Sequence, residues 1–357
     1  MWVDHRRPKR GRPRGGARPV QALVAAVLAA AGLALATAET RAATLDDVRA
    51  RGHLVCGVTE GMPGFAVVGA DGAWTGLDID FCGAVAAAVL GDKDAVRYRV
   101  VTPGNRYQVL AAGEVDVLPH AGGRSLSRDT ELGVRYTDTL FHDGQGFLIR
   151  RGYAVASIFE LSGASVCVMT GTSAEQAVET FFEARRMRVQ IVPAAQWSDA
   201  VKAYTGAACT VLTGDITLLA AERSRLARPG DHMIMPELVS KEMLGPVVRQ
   251  GDEQWHSIVR WTLAALIAAE ELGISWENVD SLRGSTNIDV RRFLGLEADL
   301  GQAMGLSRDW SYRIVRQVGS YANLFDRNLG PKTPLALERG LNNLWSRGGL
   351  LSAGPLR

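Results

Sequence analysis

The sequence contains none of the short motifs that mark the common catalytic and nucleotide-binding sites. It has no G-x-x-x-x-G-K-[ST] phosphate loop, no H-E-x-x-H zinc helix and no G-x-S-x-G nucleophile turn. Its six histidines show no metal-ligand spacing, and among them only His120 stands in a loop that we consider below. These absences predict a protein that is not an enzyme and that holds no metal or cofactor.

Positive charge is scarce outside the first 43 residues. Those residues hold eight Lys or Arg and two acids, whereas the rest of the chain holds 32 basic and 36 acidic residues, a net charge of −4. Nucleic-acid binding depends on a basic surface. A mildly acidic body therefore predicts no nucleic-acid partner.

Long apolar runs are rare as well, and the longest lies near the N-terminus. A basic stretch over residues 1–20 precedes an uninterrupted apolar run over residues 22–36, and an A-x-A cleavage motif follows. Fifteen apolar residues are short for a membrane-spanning helix. We interpret residues 1–43 as a cleaved secretory signal, with a second cleavage option after Ala43. An uncleaved anchor is the alternative.

Only four cysteines are present: Cys56, Cys82, Cys167 and Cys209. None is in C-x-x-C spacing, which argues against a zinc site or a thioredoxin-type motif. In an exported protein an even count suggests two disulfides, and four cysteines allow three pairings. We favour Cys56–Cys82 and Cys167–Cys209, because each pair then lies within one half of the chain. Four buried free thiols are the alternative.

The chain does contain a repeated alternation of strand-like and helix-like segments. "HLVCGV", "VRYRVV" and "VDVLP" are predicted strands separated by helices, and the same order recurs in "ASVCVM", "VQIVP" and "CTVLTG". This alternation predicts α/β lobes whose parallel sheets are covered on both faces. Two such units predict two similar lobes. We expect the C-terminal tail to pack on the first lobe and not to form a third domain.

Loops at the carboxyl ends of the predicted strands are the expected ligand site, because open α/β sheets bind ligands there. Their residues suit a zwitterion. Thr172 and Ser173 open a helix whose free N–H groups attract a carboxylate, and Arg128 supplies a bidentate guanidinium for the same group. Asp215 would accept the ammonium, and Phe65 would cover an apolar side chain.

Each of these residues also has a purely structural interpretation. Arg128 is equally consistent with an ordinary surface residue, since most exposed charges do nothing specific. Thr172 or Ser173 is expected to cap its helix in any case, and Asp215 would then cap the helix that follows it. Phe65 would lie in the core.

Several segments resemble the solute-binding proteins of ABC amino-acid importers, in particular the general L-amino-acid-binding subgroup. They are "LVCGV", "GLDIDFCGAVAAAVLGD", "LSRDTELG", "DGQGFLIR", "VSKEMLGPVVRQGDEQW", "AEELGI" and "NLWSRGGLLSAGPLR". The resemblance implies a type II periplasmic-binding-protein-like fold: two α/β lobes with parallel sheets, two hinge strands and a helical C-terminal extension. It assigns residues 44–144 and 145–238 to lobes one and two. Residues 239–357 would return to lobe one and add the extension.

The resemblance also implies a function. A monomeric periplasmic protein would capture an L-amino acid between its lobes and deliver it to the membrane subunits of an ABC permease. Position by position, it gives the carboxylate to Arg128, Thr172 and Ser173 and the ammonium to Asp215. Hinges are expected near residues 143–149 and 237–245, which lie at the two places where the chain passes between lobes.

One loop departs from the subgroup, which has an Asn-Thr-Thr-Trp-Thr run where this chain has residues 121–125, "AGGRS". Two hydroxyls and an aromatic ring are absent, although Gly122 and Gly123 can still offer N–H groups to a ligand. A shifted ligand, weaker binding or lost transport would each explain the change. Two further alternatives are an exported dehydratase-like enzyme with Glu60 as its acid, and a ligand-sensing module.

Overall fold

The β-structure of the described residues comprises one five-stranded sheet and four two-stranded pairs, two of which are joined by single bridges into a further sheet. The structure, a computed structural model, describes Met1, residues 43–120 and residues 122–357. The interpretation of residues 1–43 as a signal therefore falls almost wholly outside the described residues. Within the described ranges, no helix is long and apolar enough to cross a membrane.

The elements follow one another in the order expected for alternating strands and helices. The described α-helices are α1 (Thr44–Arg51), α2 (Leu77–Leu90), α3 (Arg106–Ala111), α4 (Leu126–Glu131), α5 (Ser173–Ala184), α6 (Trp197–Thr205), α7 (Ile216–Arg225), α8 (Glu253–Glu271), α9 (Ile288–Phe293), α10 (Trp310–Gln317) and α11 (Tyr321–Asn328). The described strands are β1 (Leu54–Val58), β2 (Val67–Val68), β3 (Trp74–Thr75), β4 (Val96–Val100), β5 (Val134–Tyr136), β6 (Phe141–Asp143), β7 (Gln145–Arg150), β8 (Ala164–Met169), β9 (Val189–Ala194), β10 (Val211–Asp215), β11 (His232–Ile234), β12 (Glu242–Leu244) and β13 (Val247–Arg249).

The first sheet is assembled from segments that are far apart in the sequence. β1 and β4 pair in parallel, and β13 pairs antiparallel with β5. Single bridges join these two pairs, from Val117 to β1 and from Leu118 to Val247. Val117 and Leu118 are adjacent in the chain, yet the first bridges to β1 and the second to β13. This is why the segment 115–119, a predicted strand, forms only isolated bridges.

The second sheet has five strands in the order β11–β7–β10–β8–β9. β8, β9 and β10 are the three predicted strands, and they run parallel to one another as expected. β7 and β11 run antiparallel to their neighbours. β7 has this direction because the chain enters the second sheet from the first lobe, at the end where β10 stops.

Two short antiparallel strands, β6 and β12, connect the lobes. Asp143, the last residue of β6, is buried and accepts hydrogen bonds from the hydroxyl of Thr217 (2.5 Å) and the N–H of Gly144 (2.8 Å). A Cβ on Gly144 would overlap the Ser240 carbonyl, so only glycine allows this close crossing. The crossing falls within the two segments where hinges are expected.

The largest core lies in the first lobe and includes the C-terminal extension. Helix α2 is buried on nearly every side and ends, as expected, at Gly91, whose φ is 82°. It packs against α8 and α10. The side chains of Trp310, Phe325 and Leu351 belong to the same core cluster.

The extension also reaches the hinge and the second lobe. The side-chain oxygen of Asn342 accepts from the N–H of His142 (2.6 Å), and its amide donates to the His142 carbonyl (2.9 Å). Farther along, Arg223 on α7 donates to the carbonyl of Leu335 (2.6 Å). The extension thus contacts β6 of the hinge and a helix of the second lobe.

The favoured cysteine pairing is confirmed. Cys56 on β1 bonds to Cys82 on α2, and Cys167 on β8 bonds to Cys209 just before β10. The first disulfide links a strand of the first sheet to a helix that covers this sheet. The second links two neighbouring segments of the second sheet.

Candidate functional site

The glycine loop of the first lobe is held by side chains from outside it. Helix α4 begins at Ser125, whose hydroxyl accepts from the N–H of Arg128 (3.3 Å). The guanidinium of Arg128 turns back and donates through Nη1 to the carbonyl of Gly123 (2.7 Å). Tyr136 donates to the carbonyl of Gly122 (3.5 Å). Arg128 is therefore fixed against the glycines and is not a free surface residue.

The missing side chains of the two glycines make room for two other residues. At Gly122, whose φ is +85°, a Cβ would lie 2.7 Å from Nη2 of Arg106 and 3.6 Å from Nη1 of Arg128. At Gly123, a Cβ would overlap the carboxylate of Glu242. The loop thus brings a second guanidinium and a carboxylate to the predicted site. Nothing in the local sequence of the loop indicates these two contacts.

Arg124, which follows the two glycines in the same loop, forms an ion pair with Asp129. It lies 2.9 Å from Asp129, and both residues are on the outer side of the loop and helix α4. Asp129 also accepts from the N–H of Tyr136 (3.1 Å). This ion pair anchors α4 to β5 and neutralises the added charge.

In the second lobe, Thr172 occupies the N-cap position of α5 but its side chain does not cap the helix. Its hydroxyl donates to the carbonyl of Met169 (2.7 Å). Glu175 instead reaches back to accept from the N–H of Gly171 (3.0 Å). Ser173 is the first helical residue, and N–H groups in a first helical turn have no intrahelical acceptor. This loop therefore offers backbone donors, with the Thr172 hydroxyl already engaged.

Asp215 is the last residue of β10 and the N-cap of α7, yet its carboxylate makes no side-chain capping bond. It forms no ion pair or hydrogen bond with the described part of the chain. Its side chain is exposed to solvent, while desolvation by the surrounding protein raises its pKa. A carboxylate that is reached by water but largely surrounded by protein is expected in a concave site.

Glu242 on β12 connects the two halves of the site electrostatically. Burial and then the charge of Asp215 raise its pKa, while the charge of Arg128 lowers it. The charges of both residues therefore act on the carboxylate of Glu242. Arg128 belongs to the first lobe and Asp215 to the second, whereas Glu242 lies on the hinge. The arrangement of separated cations and anions is able to hold both ends of a zwitterion.

Strand β7 of the second sheet, which directly follows the hinge strand β6, holds the second-lobe loop in place. Gln145 donates through Nε2 to the carbonyl of Ala174 in α5 (2.9 Å) and to the hydroxyl of Thr213 (2.8 Å). Asp143, two residues earlier, has a pKa raised to about 7 by burial, with a smaller contribution from Asp215. Gln145 therefore ties the start of α5 to β7 and β10 of the second sheet.

Phe65 is buried, only 1% exposed, and lies behind the glycine loop. Its ring packs edge-on against Phe141 at 5.5 Å and against His120 at 5.0 Å. His120 lies 3.8 Å from Asp78. Burial raises the pKa of Asp78 to about 8 and lowers that of His120 to about 4, so both are neutral near pH 7. Phe65 forms an inner wall of the first lobe.

Glu60, the acid proposed for the dehydratase alternative, is exposed in a turn after β1. It forms no hydrogen bond or ion pair with the described residues. Within the same ranges, no group of three or more His, Cys, Asp or Glu side chains is arranged to hold a metal ion.

Residues 54–274 match the bacterial extracellular solute-binding proteins, family 3. The chain belongs to this family. Residues 275–357 lie beyond the family match, so the C-terminal extension is an addition to the solute-binding domain.

Individual solute-binding proteins share nearly the full length of the chain. It is 43% identical over 337 residues to the general L-amino acid-binding periplasmic protein AapJ of Rhizobium johnstonii, covering 94% of this chain and 99% of that protein. It is 44% identical to the glutamate/glutamine/aspartate/asparagine-binding protein BztA of Rhodobacter capsulatus, covering 91% and 96%. The resemblance stated from the sequence is therefore confirmed.

A solved structure of an ABC transporter/periplasmic binding protein from Brucella ovis with glutathione bound superimposes with a TM-score of 0.79. It is 42% identical in sequence, and the match covers 89% of this chain and all of that one. Together with the two sheets and the hinge strands, this similarity establishes the type II periplasmic-binding-protein fold.

Proposed function

We propose that the protein is the substrate-binding component of an ABC-type amino-acid import system. It captures an L-amino acid between its lobes and delivers it to the membrane subunits of a permease. The main support in the structure is the position of Glu242 on β12, whose carboxylate lies against Gly123 and whose pKa is affected by the charges of Arg128 in one lobe and Asp215 in the other. The family and its amino-acid-binding relatives support the same function.

Each end of the ligand has its own set of groups in this proposal. The α-carboxylate binds to Arg128 and to the N–H groups at Thr172 and Ser173, where the start of α5 favours negative charge. The ammonium binds to Asp215, with Glu242 as a second acidic neighbour. Backbone N–H groups of Gly122 and Gly123 would contact the ligand beside the side chains of Arg106 and Glu242, which lie next to the two glycines.

The lobe limits predicted from the sequence stay part of the proposal. Residues 44–144 would move as one body with residues 239–357, and residues 145–238 as the other. Closure would occur at β6 and β12, where few contacts cross between lobes. Phe65 would contribute an edge of its ring to the closed site.

A thermal-shift screen against the twenty amino acids tests the proposed binding. A ligand that binds only the folded protein at 100 times its Kd adds about 2.7 kcal/mol of stability, so its melting temperature rises clearly. We expect at least one L-amino acid to have this effect, and its D-enantiomer to have none. The proposal is wrong if no amino acid raises the melting temperature of the correctly folded protein.

Recovery of the ligand separates binding from catalysis. After prolonged incubation, the amino acid should be released unchanged and in a one-to-one ratio with protein. Conversion of the ligand to a new compound would instead support an enzyme on the same fold.

The proposed location is the periplasm. The N-terminal signal would direct export to this compartment and would then be cleaved. The periplasmic names of the relatives support this location. Fractionation of cells that express the whole chain, followed by N-terminal sequencing, tests it: we expect a new terminus after Ala38 or Ala43 in the periplasmic fraction. An intact N-terminus in the membrane fraction would favour the anchor.

A further inference from the structure

A basic cavity lies at the end of the second sheet that is opposite to the candidate site. Where β10 pairs with β7, Asp215 faces Gln145 at the site end and Val211 faces Ile149 at the other end. The cavity begins just beyond Ile149 and has a volume of about 570 Å³. Four residue steps of about 3.3 Å separate the two ends, so a small ligand in the cavity does not touch the candidate site.

Guanidinium groups dominate the walls of this cavity. Arg150, Arg151 and Arg228 line it together with His232, and Asp231 is the single acid among its described lining residues. Asp231 lies 3.3 Å from Arg228 and neutralises that one charge. The charges of the other two arginines stay uncompensated.

Arg150 is held in place by neutral groups. Its Nη2 donates to the backbone oxygens of Tyr204 and Thr205, and its guanidinium lies 4.7 Å from the centre of the Tyr204 ring. Its Nη1 is buried and has no hydrogen-bond partner among the described residues. A buried N–H donor without an acceptor is unfavourable, so this group is an open position for an anionic oxygen.

Arg151 is similarly without a counter-charge. Its Nε donates to the carbonyl of Gly230 (3.0 Å), and within the described ranges it forms no ion pair. Neighbouring groups respond to the excess of positive charge. Burial and then the charge of Arg150 lower the pKa of His232, with Asp231 opposing and Arg228 adding to the effect. Burial and the charge of Arg151 lower the pKa of Arg223.

We propose that this cavity binds a phosphate group, carried by a small phosphate ester or by a phospholipid headgroup. Guanidinium groups pair well with phosphate oxygens, and a phosphate has enough oxygens for more than one of them. The volume falls in the range of about 300–1,000 Å³ that is typical of small-molecule sites, which favours a phosphate with an organic group attached.

Two probes distinguish the sources of the phosphate. Glycerol 3-phosphate is titrated by calorimetry as the soluble ester, and co-sedimentation with phosphatidylglycerol-containing vesicles, against pure phosphatidylcholine vesicles, reports a headgroup. Arg151→Gln combined with Arg228→Gln removes two exposed charges, and its affinity for the amino acid serves as the check that the fold is kept. We expect this double variant to bind the successful probe about tenfold more weakly, with amino-acid affinity unchanged. Arg150→Lys, which keeps the charge and loses the fork of donors, should also weaken binding.

Arg188→Gln is the matched control, because Arg188 is exposed in the same lobe and does not line the cavity. A soluble ligand is supported if the ester binds, the double variant weakens that binding and Arg188→Gln leaves it unchanged. The same pattern with vesicles alone supports a headgroup. The proposal is overturned if neither probe binds, or if the double variant and the control bind equally well.

Discussion

In the first lobe, Arg128 is bonded to the Gly123 carbonyl and its helix is capped by Ser125. In the second lobe, the Asp215 carboxylate has no side-chain partner, and the donors at the start of α5 come from the backbone. The first-lobe half of the proposed site, which contains Arg128, is thus held in place before a ligand arrives. The second-lobe half gains a partner for Asp215 only when a ligand binds, so the two halves should respond differently to substitution.

The largest expected effect is at the fixed half. Arg128→Ala should weaken amino-acid binding by about 30-fold or more, because truncating one partner of a buried charge pair costs roughly 2–5 kcal/mol. Calorimetry with the ligand found by thermal shift measures this change. Arg124→Ala is the control, since Arg124 lies on the same loop but is paired with Asp129. Equal losses in the two variants would show that the loop, and not the guanidinium, is responsible.

A smaller effect is expected at the unpartnered half. Asp215→Asn should weaken binding by about tenfold, because a hydrogen bond to a charged group contributes about 1.5–3 kcal/mol. The 2-hydroxy acid that corresponds to the ligand lacks the ammonium, and it should bind the variant and the original protein equally. Arg128→Ala should weaken binding of both compounds. If Asp215→Asn weakened the binding of the amino acid and of the 2-hydroxy acid alike, the division of the site into two ends would be wrong.

The stability of the protein should also depend on the glycines of the fixed loop. Gly122→Ala places a side chain at φ +85° and against Arg106, so we expect a loss of about 1–3 kcal/mol in the free energy of unfolding. Denaturant titration measures this loss. Gly284→Ala is the control, because Gly284 has open space around it and a negative φ. Similar stabilities for the two variants would mean that the loop is not tightly held.

The hinge between the halves should depend on pH. Burial raises the pKa of Asp143 to about 7 from an ordinary value near 3.8, so the folded state binds a proton more readily than the unfolded state. The contribution of this carboxyl to the free energy of unfolding is therefore largest below the unfolded pKa and decreases as the pH rises towards about 7. We expect roughly 2–3 kcal/mol less stability at pH 8 than at pH 5 from this carboxyl, because each pH unit between 5 and 7 costs about 1.4 kcal/mol. Asp143→Asn should reduce that difference, and an unchanged pH profile would contradict this role.

Regular elements were predictable because their signals are local. The apolar segments of β8, β9 and β10, the glycine that ends α2 and the division of cysteines between the halves all indicate the observed structure. Arg106 and Glu242 were not predictable as site residues. They reach the loop from other elements, through space left by Gly122 and Gly123, and no pattern in one sequence records such a gap. The Thr172 hydroxyl was also misjudged as a cap, because its acceptor, Met169, depends on local backbone geometry.

The side chain of Asn342 borders β6 as a neighbouring strand would, giving one acceptor and one donor to His142. A shortened version that stops at residue 274, where the family match ends, would strip this border away and uncover the apolar sides of α2 and α8. Its bare strand edge would be free to pair with another molecule. Trimming the protein to the solute-binding domain should therefore yield aggregates, which gel filtration of the shortened chain would detect.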